Sequence, residues 1–409
     1  MRWSFPARLL LLSIIFLSVG NFQPSLTGAD EASALQQSIV LVLWLALIGL
    51  SFLPGALAER PTLDGLLWPL LFLGYAAVSP AWSGSPQAGL AKSAVLLVTS
   101  FGAWRVAGMM RTESFFEVAT YALLLIALAS VLLVLFVPSI GVLATWQHSG
   151  QWSGVFISKQ LLGTAAAFLL LFALLRLAER KRVLDVLGLV LGGACVLGSG
   201  SRGGAALAVA AVICILLARR SVGAAIALSL LPLLLILVAL IVASILAYTG
   251  YDYLPVFGTR VDLTERTLIW QYGLGHWLGQ PIAGFGLNGF WSDEGLYYSF
   301  LKKHGWVLDN FHSGYNTIIV ELGLFGLALF VIVTARLCWS VARRVVADFA
   351  GERRCLSHGV ELALGFMILF FTINLTETFL LRSTNFFQFA FTFLLVRLLS
   401  RHPPASARP

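Results

Sequence analysis

Apolar runs of roughly eighteen or more residues recur from one end of this chain to the other, and a repeated run of that length is the pattern of a transmembrane helix. The same pattern excludes a water-soluble fold. Only 11% of the 409 residues are charged and 59% are hydrophobic, whereas an ordinary globular chain is about a quarter charged. The expected fold class is all-α, a polytopic transmembrane helical bundle.

Runs bounded by charge or by Gly and Pro predict about twelve spans, near 8–21, 35–54, 66–80, 88–107, 116–137, 160–177, 183–200, 203–218, 221–248, 314–340, 357–378 and 384–400. Nine of them make a first transmembrane bundle over 1–248. Three make a second over 314–400, and 401–409 is a cytoplasmic tail. The long interruption, 249–313, is too apolar and too rich in Trp, Tyr and Gly to be disordered. It reads as a loop domain with amphipathic helices.

Basic residues concentrate in cytoplasmic loops. With the N-terminus inside and spans alternating, nineteen of the 27 Lys and Arg residues fall inside. Eight stay outside: Lys92, Lys159, Arg202, Arg260, Arg266, Lys302, Lys303 and Arg382. The bias puts 249–313 on the outer side and accounts for the net charge of +8 without a nucleic-acid partner. Arg2 and Arg8 before an apolar stretch also resemble a signal peptide, and cleavage there would leave this topology unchanged. Cys195, Cys214, Cys338 and Cys355 form no CxxC pair and read as core or reduced thiols.

The outer basic residues that sit in patterned sequence are the first candidates for function. Arg202 lies in LGSGSRGG, where Gly198, Gly200, Gly203 and Gly204 clear space around one guanidinium. An Arg fork among glycines suits phosphate oxygens; the alternative is a tight turn with an Arg snorkelling to the interface. Lys159, in GVFISKQLLGT, is an interfacial anchor or a second cation of the same kind. Arg260 and Arg266 fall in GTRVDLTERTLIWQYGLGHW, which predicts an amphipathic surface helix from near Thr259 to Gly279. Asp262 and Arg266, four apart, would pair on it. The PIAGFGLNGF segment has no βαβ context for a dinucleotide fingerprint and reads as a turn returning the loop over the membrane. Lys92, Lys302 and Lys303 read as ordinary loop residues.

His312 opens DNFHSGYNTIIVELGLFGLALF. On a helix beginning there, Tyr315, Asn316, Ile319, Gly323 and Gly326 share its face, and the small residues predict close packing on a neighbouring helix. A histidine fixed at the outer interface beside arginines combines a proton acceptor with anion binding. No HExxH or DxD occurs, so no metal site or other cofactor is expected. Glu321, Glu361, Asn374 and Glu377 are the few polar groups inside or near spans, and they are functional candidates by default.

In that order, VFISKQ, GSGSRGG, TERTLIW, PIAGFGLNGF and HSGYNTIIVELGLFG resemble the O-antigen ligase and polymerase superfamily of bacterial envelope enzymes. His312-Ser313, followed by Gly323 and Gly326, fits the ligase pattern of His, Asn/Ser/Gln, nine residues, Gly, two residues, Gly. Gln160 and Ser313 stand where many relatives have Asn. The resemblance covers about residues 150 to 330. It implies a GT-C-like, metal-independent glycosyltransferase of the inner membrane, facing the periplasm, that takes a glycan from undecaprenyl diphosphate. In ligases the acceptor is lipid A-core; in polymerases it is another lipid-linked repeat. It further implies that His312, Arg266 and Arg202 are catalytic, with the arginines on the diphosphate. Lys159, Arg260, Arg382, Tyr315 and Asn316 would bind substrate, and Trp291, Trp306, Tyr297 and Tyr298 would stack on sugars or belong to the aromatic belt of the membrane interface. A transporter is the reading from another class, but transporters carry polar groups at the bilayer midplane, whereas here they gather at one face.

Overall fold

A computed structural model describes residues 5–23, 32–59, 61–144, 149–256, 259–261, 263, 265–305, 307–352 and 354–400. The chain is mainly helical: α1 Phe5–Ser18, α2 Ala32–Leu50, α3 Leu67–Val78, α4 Pro86–Met109, α5 Thr112–Phe136, α6 Lys159–Arg180, α7 Val183–Ser199, α8 Arg202–Arg220, α9 Val222–Ser229, α10 Leu231–Thr249, α11 Arg266–Trp277, α12 Glu294–His304, α13 Gly314–Ala350, α14 His358–Ile373 and α15 Phe386–Leu399. By length and composition α4, α5, α6, α8, α10 and α13 are able to cross a membrane, and shorter apolar helices accompany them. Helix α10 shows why: Leu234, Leu237, Val238 and Ile241 are exposed although the helix carries no charge, the composition of a surface that meets lipid.

Helix starts follow local chemistry. Ser158 Oγ caps α6 at Leu161 N, Ser201 Oγ caps α8 at Gly204 N, and Ser313 Oγ caps α13 at Asn316 N. Helix α4 begins on Pro86, whose missing N–H costs nothing in a first turn. Gly200 and Gly250 end α7 and α10 in the left-handed conformation. The buried core runs continuously through the bundle. Helix α6 lies against α7, α8 and α14, α15 packs on α4, and α13 is flanked by α3, α9, α10 and α11.

The segment between α10 and α13 departs from the expected surface helix. Leu254–Val256 (β1) and Thr259–Val261 (β2) form an antiparallel hairpin with Pro255 opposite Arg260, and α11 starts only at Arg266. Thr259 and Val261 are β-branched and favour the strand. The expected Asp262–Arg266 pair involves Asp262, which lies outside the described residues. The loop then threads into the membrane-side bundle. Helix α13 has one non-helical residue, Gly323, at φ 65° and ψ −169°. Into this break inserts the 281–286 segment, with hydrogen bonds from Leu324 N to Pro281 O (2.8 Å), Phe325 N to Ile282 O (3.1 Å), Phe285 N to Val320 O (3.1 Å) and Gly286 N to Glu321 O (2.7 Å). A Cβ on Gly323 would stand 2.3 Å from Ile282 O, and one on Gly284 2.5 Å from Glu321 O. The Tyr75 hydroxyl closes the joint by donating to the Ala283 and Leu322 carbonyls, 3.2 Å each. Gly323 is thus where a loop enters α13, not part of a straight packing stripe.

Candidate active site

His312 does not lie on α13. It precedes the cap, in the left-handed conformation at φ 47°, because the chain turns sharply there before Ser313 starts the helix. Asn310 Oδ1 accepts from His312 N at 2.8 Å. Phe311, fully buried, anchors the turn, and its carbonyl accepts from Trp270 Nε1 at 2.8 Å. The residues after α14 hold the other side. Gly314 N donates to the Asn374 and Glu377 carbonyls (2.9 and 3.0 Å), and Ser313 N donates to Thr378 Oγ1 (3.0 Å). Asn374 Oδ1 in turn accepts from Phe379 N and Leu380 N, both at 3.0 Å. Any side chain at Gly314 would strike that Asn374 oxygen. The histidine is fixed by two pieces of chain, not by a shared helical face.

This weld brings Glu377 between two predicted residues. Its Oε1 accepts from Arg266 Nη2 at 2.6 Å, its Oε2 lies 3.5 Å from His312 Nδ1, and Arg266 Nε donates to Thr376 O at 2.9 Å. A carboxylate at Nδ1 favours the tautomer whose basic nitrogen is Nε2. His312 and Glu377 line a cavity of about 430 Å³. Its walls come from α1, α2 and α4, the α6 N-terminus, the inserted loop at Leu287 and Asn288, and the segment after α14. Among the described residues no three His, Cys, Asp or Glu side chains converge as a metal site.

Further charges line the same cavity. Arg382 Nη1 pairs with Asp309 Oδ2 at 3.1 Å. Partial desolvation works against ionisation of Asp309, but Arg382, the Asn310 amide and Lys92 outweigh it and hold the carboxyl below its usual range. Glu321, within α13 and only 6% exposed, accepts from Asn288 N at 2.8 Å. Asn288 Oδ1 accepts from Lys92 Nζ.

The remaining predicted residues divide. Lys159 is the first residue of α6, between the cavity-lining Ser158 and Leu161. Arg202 opens α8 close enough to act electrostatically on Lys159, because α6 and α8 cross where Gly163 and Gly204 leave no room for side chains. Of the glycines around Arg202, Gly198 makes room for Trp152, Gly204 for α6, and Gly200 ends a helix, so only Gly203 faces open space. Arg260 stacks over Tyr253, 4.7 Å from its centroid, and is absent from the cavity lining. Tyr315 is buried, its hydroxyl bonded to Phe371 O at 2.8 Å, and Asn316 is buried in the first turn of α13. Trp291 lies in an aromatic cluster with Tyr272, Phe290, Phe300 and Phe311. Tyr298 is 59% exposed and packs against Tyr297. Trp306 lies outside the described residues.

The sequence marked Glu377 and Glu321 as functional candidates only because they are carboxylates in or near apolar spans, with no partner or role, and took Lys92 for an ordinary loop residue. The signal for Lys92 was its place seven residues into an apolar helix. Residues 187–331 match the family model described as O-antigen ligase; Arg202, Arg260, Arg266, Trp291, His312, Tyr315 and Asn316 fall within the match. No curated protein matches the chain.

Proposed function

We propose, for a chain whose residues 187–331 match the O-antigen ligase family model, that the cavity at His312 transfers a glycan from undecaprenyl diphosphate to lipid A-core oligosaccharide. The reaction takes place at the periplasmic face of the bacterial inner membrane, in a GT-C-like bundle of about twelve spans with 249–313 as its large outer loop. The positive-inside bias supports this orientation. The single observation that carries the reading is the Arg266–Glu377–His312 row, whose Glu377 and His312 line the cavity.

An acceptor hydroxyl is a poor nucleophile until a base begins to take its proton. His312 Nε2 accepts that proton as the hydroxyl oxygen bonds to the anomeric carbon. The bond from that carbon to the phosphate oxygen breaks, and undecaprenyl diphosphate leaves, giving inversion in one displacement. Glu377 holds the ring and stabilises the imidazolium as it forms. Charge growing on the leaving diphosphate meets fixed cations, which need no reorganisation when the bond breaks. Lys159, at the α6 N-terminus between the cavity-lining Ser158 and Leu161, and Arg202, at the α8 N-terminus within electrostatic reach of Lys159, suit that anion by charge and by helix dipole, and Arg266 adds positive charge behind Glu377. The polyprenyl tail lies among apolar helices, and membrane lipids surround the whole.

His312→Ala tests the assignment. The variant inserts and folds but loses at least about a hundredfold in transfer, the lower range of a general base's contribution. Normal transfer by it would remove His312 from the chemistry. Elongation of the lipid-linked donor instead of transfer to lipid A-core would make the protein a polymerase.

A further inference from the structure

Lys92 stands on α4, exposed toward the cavity that His312 lines. Its surroundings are built. Asn288 is held in the left-handed conformation at φ 59°, its N–H donates to buried Glu321 at 2.8 Å, and its Nδ2 donates to Ser292 Oγ at 2.7 Å. With the amide nitrogen so engaged, Oδ1 is fixed toward Lys92 and accepts from its ammonium. The loop carrying Asn288 is itself locked into the break of α13. Three separated parts of the chain thus meet to place one lysine.

The charge pairing in the cavity singles this lysine out. Arg382 is ion-paired with Asp309, and Arg266 with Glu377. Among the described residues, Lys92 has no carboxylate within ion-pairing distance, and its hydrogen-bond partner is a neutral amide oxygen. An ammonium has three donors, so two remain for whatever occupies the cavity. A compact cation with free donors, beside a second cation in Arg382, is a site for phosphate oxygens.

We infer that Lys92 is a substrate-binding cation that contacts a phosphate group of a lipid-linked substrate, and that Asn288 and Glu321 position it. The inference rests on the transfer reaction proposed above. The phosphate belongs either to the donor diphosphate or to a phosphorylated acceptor, and kinetics separate the two.

The test uses the full chain in lipid nanodiscs, with initial transfer rates measured against donor at fixed acceptor and against acceptor at fixed donor. Lys92→Met raises KM for one substrate by about tenfold or more, with a smaller change in kcat, and Lys92→Arg restores most of the affinity. Whichever KM moves names the phosphate. If Lys92→Met fails to fold, Lys92→Gln, which keeps a donor for Asn288 but has no charge, carries the same reading. Both KM values within about twofold of wild type in the neutral variant would overturn the inference. Should the wild-type protein transfer no glycan, the proposed reaction fails on its own. Binding of undecaprenyl diphosphate and of lipid A-core, each followed by tryptophan fluorescence, then decides on Lys92: weaker binding of either by the neutral variant supports the subsite, and equal binding of both refutes it.

Discussion

Replacing Glu377 by Gln keeps the side chain's shape and removes its charge, which isolates what that charge does for His312. A carboxylate 3.5 Å from an imidazolium attracts it by about 5 kcal/mol at an effective dielectric constant of about 20. The two side chains are 17% and 37% exposed, so solvent screening leaves roughly 2 kcal/mol. If the imidazolium forms only as the acceptor proton moves, that energy appears in kcat, a loss of roughly thirtyfold. KM for donor and acceptor changes little, because neither substrate touches Glu377 in this account. The Gln carbonyl still accepts from Arg266, which limits the cost to folding. The assay is glycan transfer by purified protein in nanodiscs, with thermal unfolding as the control. A folded Glu377→Gln protein within about threefold of wild-type kcat would show that the row is scaffolding and not part of the chemistry.

Gly323→Ala destabilises the protein by more than about 3 kcal/mol, because φ 65° with ψ −169° is essentially a glycine-only region and the new Cβ meets Ile282 O; unfolding in detergent measures it, and an unchanged midpoint would mean the loop does not insert there. Tyr315→Phe loses the bond to Phe371 O and about 1 kcal/mol of stability while KM stays unchanged, whereas a raised KM would place Tyr315 on substrate. Asp309→Asn lowers stability slightly at neutral pH, since the ionised carboxyl is held by Arg382. The folded carboxyl titrates lower than the unfolded one, so its contribution is present above about pH 4 and fades on acidification below that. The unfolding midpoints of wild type and variant therefore converge as pH falls, and a gap that widens in acid would contradict the pairing.

The helices were legible because their signal is local: uninterrupted apolar sequence of sufficient length. What happens between α10 and α13 was not. ELGLFG reads as helix, and only the arrival of residues 281–286 explains why Gly323 is broken out of it. His312 was legible from its place at the head of a span, but its setting was not. The Ser313 hydroxyl and the Asn374–Leu380 weld push it off the helix, and Glu377 reaches it from 65 residues away. Lys92 and Asn288 are separated by 196 residues, so neither carries a local sign of the other. Conversely, Tyr315 and Trp291 show the ordinary patterns of a functional aromatic and are occupied in packing.

The most direct measurement supplies the purified protein with an undecaprenyl-diphosphate glycan in chelator, with and without lipid A-core, and follows the glycan in wild type and His312→Ala. The account predicts transfer to lipid A-core by the wild-type protein, no product without that acceptor, and no product from His312→Ala. Lengthening of the donor lipid in the absence of lipid A-core, or transfer that survives the loss of His312, would contradict it.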